Sequence, residues 1–268
     1  YLAYTEVDES PVELKVRPLI RAKGTELFSQ RYPAAGEANA IVRLYVRENE
    51  TGKTISIELP EADGYLPRVS WAADHDLYVQ WQSRDQKLLT LGRALPPAFS
   101  LKRLLEERDD AWVELHNDLT VLNDGRFVWP SERSGVRQLY LHSRDGAVLH
   151  ALTSGPAPAM KLLSVHDGYL YYIGATRRSL GRQLFRAPLD AKQPPTQITT
   201  SAGWHSVRMA ANASSFLDYY SSTFVPTTVT VRNLSNEPIF VLDDNPAPRW
   251  QALPKPKVQF VEIKAADG

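Results

Sequence analysis

No cysteine occurs among the 268 residues. That absence excludes disulfides, thiolate catalysis and Cys-based zinc sites, and it leaves the compartment open, since disulfide-free proteins occur on both sides of a membrane. There is no charge surplus either: Lys plus Arg number 31 and Asp plus Glu number 31. The chain therefore has no basic footprint for nucleic acid and no polybasic membrane signal. No stretch approaches the roughly 18 uninterrupted apolar residues of a membrane-crossing helix. The opening residues, Tyr1 to Glu6, lack the basic and apolar regions of a signal peptide. There is no initiating Met, and the chain opens inside a strand pattern, which gives the expectation of a piece excised from a longer protein.

Catalytic signatures are missing as well. A strained nucleophile turn, G-x-S-x-G, is absent, as are HExxH, a phosphate-binding GxxxxGK[ST] and GxGxxG. The six histidines (His75, His116, His142, His150, His166, His205) are scattered, with no two at metal-ligand spacing. Glu106-Glu107, Asp109-Asp110 and Asp243-Asp244 are adjacent carboxylates. On a strand, neighbours point to opposite faces, so they read as solvated turns before they read as a cation site. Arg177-Arg178 with Arg182 reads as a loop that could meet a carboxylate or a neighbouring domain. Trp81, Trp112, Trp129 and Trp204 read as packing between sheets. No catalytic residue, metal ligand or cofactor site follows from the residues.

What is present is repetition. From Leu119 to Thr153 the sequence spells four short strands: Thr120 to Leu122, Arg126 to Trp129, Val136 to Leu141 and Ala147 to Thr153. Asn123-Asp124-Gly125 and Arg144-Asp145-Gly146 supply tight turns, strong hairpin signals between alternating apolar runs. Four strands in about 35 residues are the unit of a β-propeller blade. The second strand recurs as Leu77 to Trp81, Tyr169 to Ile173 and Phe216 to Tyr220. The third recurs as Leu88 to Leu91, Leu184 to Arg186 and Val229 to Val231. The fourth recurs near Leu104-Leu105, Ile198-Thr199 and Phe240 to Leu242. Successive matches lie roughly 43 to 51 residues apart, near the period of propeller repeats. Apolar residues at 43% and aromatics at 10% suit sheet faces. The fold class expected is all-β: a partial propeller of about five four-stranded antiparallel blades, the first incomplete, over residues 1–245.

Two segments depart from the repeat. Residues 8–40 break it, with Val12 to Ile20 alternating as an arm strand, a length beyond ordinary loops that points to an interaction element or a surface excursion. Residues 246–268 begin with Pro246, Pro248, Pro254 and Pro256, a linker composition. Val258 to Ile263 then alternates like the first strand of a following domain. Leu101 to Glu107 is ambiguous between a strand and a helical turn.

Several stretches resemble the propeller domain of dipeptidyl peptidase IV and its bacterial relatives in the prolyl oligopeptidase group. Tyr1-Leu2-Ala3-Tyr4 before Asp8-Glu9-Ser10-Pro11-Val12 resembles the family's entry into its blade-four extension. Tyr32 to Ala40 resembles its YPKAG-x-x-NP segment, with Ala40 in place of Pro. Gly64 to Trp71, Val79-Gln80-Trp81, Ser131-Glu132-Arg133-Ser134-Gly135 with Leu139-Tyr140, and Pro254 to Ile263 follow in the family's order along nearly the whole chain. The resemblance implies the non-catalytic propeller of a serine dipeptidyl peptidase that releases N-terminal Xaa-Pro or Xaa-Ala dipeptides and gates peptide access to a hydrolase domain. The triad would lie after Gly268 and the double-Glu motif before Tyr1. The family's Phe-Arg pair follows a Trp-Val; here that loop is Trp112-Val113-Glu114-Leu115-His116-Asn117. Phe and Arg are not kept, and His116 and Asn117 are the substrate-contact candidates. The arm, residues 12–32, matches a dimer contact and implies a homodimer, and bacterial relatives imply a periplasmic or secreted location. The alternative on residues alone is a free-standing propeller that serves as an interaction scaffold; a propeller enzyme with a central metal is a third reading.

Overall fold

A computed structural model describes residues 1–176, 179–255 and 257–266. Among the described residues are twenty-one strands and one five-residue helix, in two compact units.

The first unit comprises residues 1–117 with 121–127 and 143–147. It opens with β1 (Leu2–Asp8), continues into an arm of β2 (Leu14–Arg21) and β3 (Gly24–Arg31), and returns through β4 (Ile41–Arg47) and β5 (Thr54–Ile57). β1, β4 and β5 form a three-stranded sheet, the incomplete first blade that the repeat implied. The arm is a separate two-stranded sheet. Its root is fixed by buried Val12, by Lys15 paired with Glu37, and by the Arg17 guanidinium 4.7 Å over the Tyr32 ring.

The second blade runs β6 (Gly64–Trp71), β7 (Leu77–Ser83), β8 (Leu88–Ala94) and β9 (Leu101–Arg108), paired in that order. β7 and β8 are the inner strands of the sheet, and from Leu77 to Gln82 every residue is buried. A strand covered on both faces reads as a continuous apolar run. Leu44, Val46, Ile57, Leu77, Val79, Ala94 and Phe99 form the unit's core. Gly64 lets the Trp81 indole lie against the backbone: a Cβ there would meet the ring at 2.5 Å. The Leu101–Glu107 ambiguity resolves to strand. Leu91 pairs with Leu105 and Gly92 with Arg103, leaving Leu104 as the extra residue of a bulge. A bulge puts two successive side chains toward one side, and Leu104 and Leu105 are both buried. The helix-like apolar spacing comes from that bulge.

The third blade is β10 (Thr120–Val121), β11 (Phe127–Ser131), β12 (Gln138–His142) and β13 (Val148–Ala151). Its boundaries differ from the sequence reading. Pro130 and Ser131 extend β11, and the last strand ends before Leu152. There the Leu139 carbonyl accepts the N–H of Leu152 at 2.7 Å, and the Thr153 hydroxyl, not a ladder carbonyl, accepts the Leu139 N–H at 2.9 Å.

The second unit holds 118–120, 128–142 and 148–268. Its fourth blade is β14 (Ala159–His166), β15 (Tyr169–Thr176), β16 (Ser179–Pro188) and β17 (Thr196–Gln197); its fifth is β18 (Trp204–Met209), β19 (Ser215–Ser221), β20 (Thr228–Asn233) and β21 (Pro238–Asp243). The two form one eight-stranded sheet through a parallel bridge between Arg182 and Trp204. Tyr171, Ile173, Leu184, Ile198, Val207, Ala213 and Phe216 form its core. A short helix, α1 (Pro248–Ala252), interrupts the expected linker; Pro248 occupies its first turn, where a missing N–H costs nothing. Val258–Ile263 is not a strand: no neighbour pairs with it among the described residues, and alternation without a ladder partner does not make one.

Candidate functional site

The loop that carries the substrate-contact candidates is tied down by backbone groups of the β7–β8 hairpin. Asp109 N–H donates to Lys87 O at 3.1 Å and Val113 N–H to Gln86 O at 2.8 Å, while Gln82 Nε2 donates to Val113 O at 3.1 Å. Asp109 Oδ1 accepts the N–H groups of Ala111 (2.7 Å) and Trp112 (3.2 Å). This is the local turn chemistry for which Asp is favoured. Trp112 is exposed, with Nε1 donating to Glu114 Oε2 at 3.2 Å.

At the loop's end the two candidates part. His116 is buried, and Asn117 is exposed. Asn117 Oδ1 accepts a hydrogen bond from Arg68 Nε, and Arg68 Nη1 donates to Pro67 O at 2.6 Å. With its oxygen taken by the guanidinium, exposed Asn117 has its amide NH2 left to offer a ligand. The result is a small patch of donors, suited to a carbonyl or carboxylate. Arg68 lies 49 residues from Asn117, and no local signal pointed to it.

One member of each carboxylate pair has a structural partner. Burial alone would raise Glu106, but hydrogen bonds from Arg108 and Arg103 prevail and hold it below the usual carboxylate range. Asp109 caps the loop, and Asp243 Oδ1 accepts the Asn245 N–H at 2.8 Å. Arg177 and Arg178 lie outside the described residues; Arg182 stacks on Trp204 at 4.1 Å. Trp81 and Trp129 are core residues. No group of three or more His, Cys, Asp or Glu side chains that could hold a metal occurs among the described residues.

Two buried polar devices escaped the sequence reading. In the third blade, Thr153 Oγ1 donates to Gln138 Oε1 at 2.6 Å and Gln138 Nε2 donates to Gly155 O at 2.9 Å. The fourth blade repeats this with Thr199 Oγ1 on Gln183 Oε1 at 2.7 Å and Gln183 Nε2 on Ser201 O at 2.9 Å. The signal was there, as Gln-Leu-Tyr before Leu-Thr and Gln-Leu-Phe before Ile-Thr. The second device joins buried His205 and Asp218 to half-buried Arg232, and no local pattern is legible in it.

The family model for the dipeptidyl peptidase IV (DPP IV) N-terminal region matches residues 1–227. The chain belongs to the DPP IV N-terminal family. Among solved structures, Porphyromonas gingivalis dipeptidyl peptidase 4 superposes with a TM-score of 0.84 at 26% identity, over 93% of this chain and 36% of that one. A probable dipeptidyl-aminopeptidase B of Coccidioides posadasii is 24% identical over 261 residues, covering 87% of this chain and 28% of the relative. The inactive dipeptidyl peptidase 10 of Mus musculus is 28% identical over 179 residues, covering 59% of this chain and 22% of the relative. The DPP IV N-terminal chain thus spans about a third or less of these proteins. The meander sheets, the three-stranded first blade and this superposition make the fold a partial β-propeller.

Proposed function

We propose that this propeller is the non-catalytic part of a serine-type dipeptidyl peptidase that releases N-terminal Xaa-Pro and Xaa-Ala dipeptides. In that protein it restricts the approach of peptide ends to a hydrolase portion outside this chain. The observation that carries the reading is the family match over residues 1–227, joined to a sequence with no nucleophile turn and no metal motif. Asn117, oriented by Arg68, presents its amide NH2 to the peptide, and His116 lies buried beside it in the chain. The arm supports a homodimer. In its register Val16 faces Ser29, Pro18 faces Leu27 and Ile20 faces Thr25, and directly opposed residues share a face. Leu14, Val16, Ile20 and Leu27 therefore form one apolar surface, with Ile20 82% exposed. A periplasmic or extracellular location fits the same reading. The second reading, an interaction scaffold, is favoured by the similarity to a relative named inactive.

The test is Gly-Pro and Ala-Pro amide hydrolysis by the 268-residue chain and by the full-length protein that contains it. Activity in the long form alone is the expected result. Inactivity of both would leave the scaffold. In the active protein, Asn117→Ala is expected to raise KM with kcat nearly unchanged; unchanged KM would remove Asn117 from the peptide path.

A further inference from the structure

We infer that His205 is a proton-operated link between the fourth and fifth blades. The imidazole is 2% exposed and Asp218 1%. Nδ1 lies 2.9 and 3.1 Å from the two Asp218 oxygens, and Nε2 lies 3.0 Å from Ser201 O. A carboxylate and a carbonyl only accept hydrogen bonds, so both bonds form only when each ring nitrogen carries a hydrogen. Arg232 Nε donates to the same carboxylate at 3.1 Å and Nη1 to Asn236 O at 3.0 Å. One carboxylate thus meets both the imidazole on β18 and the guanidinium on β20. From β19, besides Asp218, the Tyr220 ring faces the imidazole at 4.8 Å, its hydroxyl donating to Ala202 O. From β16 the facing side chain is neutral Gln183, which donates to the same Ser201 carbonyl at 2.9 Å.

Ser201 O is therefore shared by the fourth blade's Gln183 and the fifth blade's His205. The connection runs on from Gln183 to Thr199 and the Leu184 N–H on one side, and through Asp218 to Arg232 on the other. When the ring gives up one proton, the N–H that persists is the charge-assisted one on Asp218. Nε2 then turns a lone pair on Ser201 O, and the hydrogen bond that ties the fifth blade to this shared carbonyl breaks. Closing it again takes up a proton, so the link is complete while both ring nitrogens carry a hydrogen and open when only one does. The inference does not depend on the peptidase reading.

The test is amide hydrogen exchange in β18 and β19 of the intact chain, as protection factors at about pH 5.5 and about pH 8, in wild type and His205→Gln. Protection is expected to fall about tenfold in wild type, the worth of one hydrogen bond to a charged group, and to stay level in the variant. A level wild-type profile, or one equal to the variant's, overturns the link. Should the variant not fold, nitrogen NMR of histidine-labelled wild type decides. Two hydrogen-bearing nitrogens on His205 at the acid pH and one at the alkaline pH support the link, and any constant count removes it.

Discussion

Thr153→Val replaces a buried hydroxyl by a methyl of nearly the same shape. The hydroxyl accepts the Leu139 N–H at 2.9 Å and donates to Gln138 Oε1 at 2.6 Å, both away from water. The variant orphans one backbone donor and one side-chain acceptor, each costing about 1–3 kcal/mol. The added methyl returns up to about 1 kcal/mol. A net loss of about 1–5 kcal/mol follows, reaching among the larger effects of a single substitution. Urea unfolding followed by Trp fluorescence should show a lower midpoint at unchanged slope. Thr199→Val removes the same pair of hydrogen bonds in the fourth blade, at 2.8 and 2.7 Å, and should cost the same. Thr200→Val, at an exposed neighbour, should stay within about 0.5 kcal/mol. Adding Gln138→Leu to Thr153→Val deletes the stranded acceptor, so the double variant should lose about 1 kcal/mol less than the sum. If Thr153→Val is no worse than Thr200→Val, the hydroxyl is not the element that ends the fourth strand and the reasoning fails.

Gly146→Ala should destabilise by about 2–5 kcal/mol, combining left-handed backbone cost with overpacking. Its φ is +94° and its Cβ would stand 2.0 Å from Leu104 O, whereas Gly135, at φ +84° with open space around it, should lose only about 1–2 kcal/mol as Ala; equal losses in thermal melts would deny the close approach. Burial first, and then the Asp74 carboxylate, push the Tyr78 hydroxyl up to about 12 against the opposing pull of Arg93. Because the folded value exceeds the unfolded one near 10, stability is intact below pH 10 and declines as pH climbs through about 12. A tyrosinate absorbance titration in which Tyr78→Phe removes no late-titrating group would refute this. Ile20→Glu with Leu27→Glu should convert a self-associated chain to monomer in light scattering, and an already monomeric wild type would end the arm's dimer role.

The strands most legible in the sequence were the second of each blade. Leu77 to Trp81 and Leu170 to Ile173 are covered on both faces, so burial and strand coincide. Fourth strands were harder because there the two separate. Leu152 and Ile198 are buried but lie just past β13 and β17, where a threonine hydroxyl has replaced the ladder. An apolar residue reports burial, not pairing. Val258 to Ile263 shows the converse, with the pattern present and no neighbour to pair with. Leu104 shows a bulge imitating a helix. Of the candidate site, the loop was legible from Trp112-Val113, but neither the withdrawal of His116 nor the arrival of Arg68 was, since both depend on residues distant in sequence.

The parallel bridge from Arg182 to Trp204 has a practical consequence for anyone who would shuffle the repeats. Elsewhere no ladder pairing crosses a seam among the described residues, only single hydrogen bonds such as Ala159 N–H to Arg137 O and Arg93 Nη1 to Arg144 O, so a module can be excised or duplicated without cutting a ladder. Between β16 and β18 a splice would sever a ladder pairing, the Arg182–Trp204 stack and the carbonyl shared at Ser201, so those two repeats are inherited as a pair.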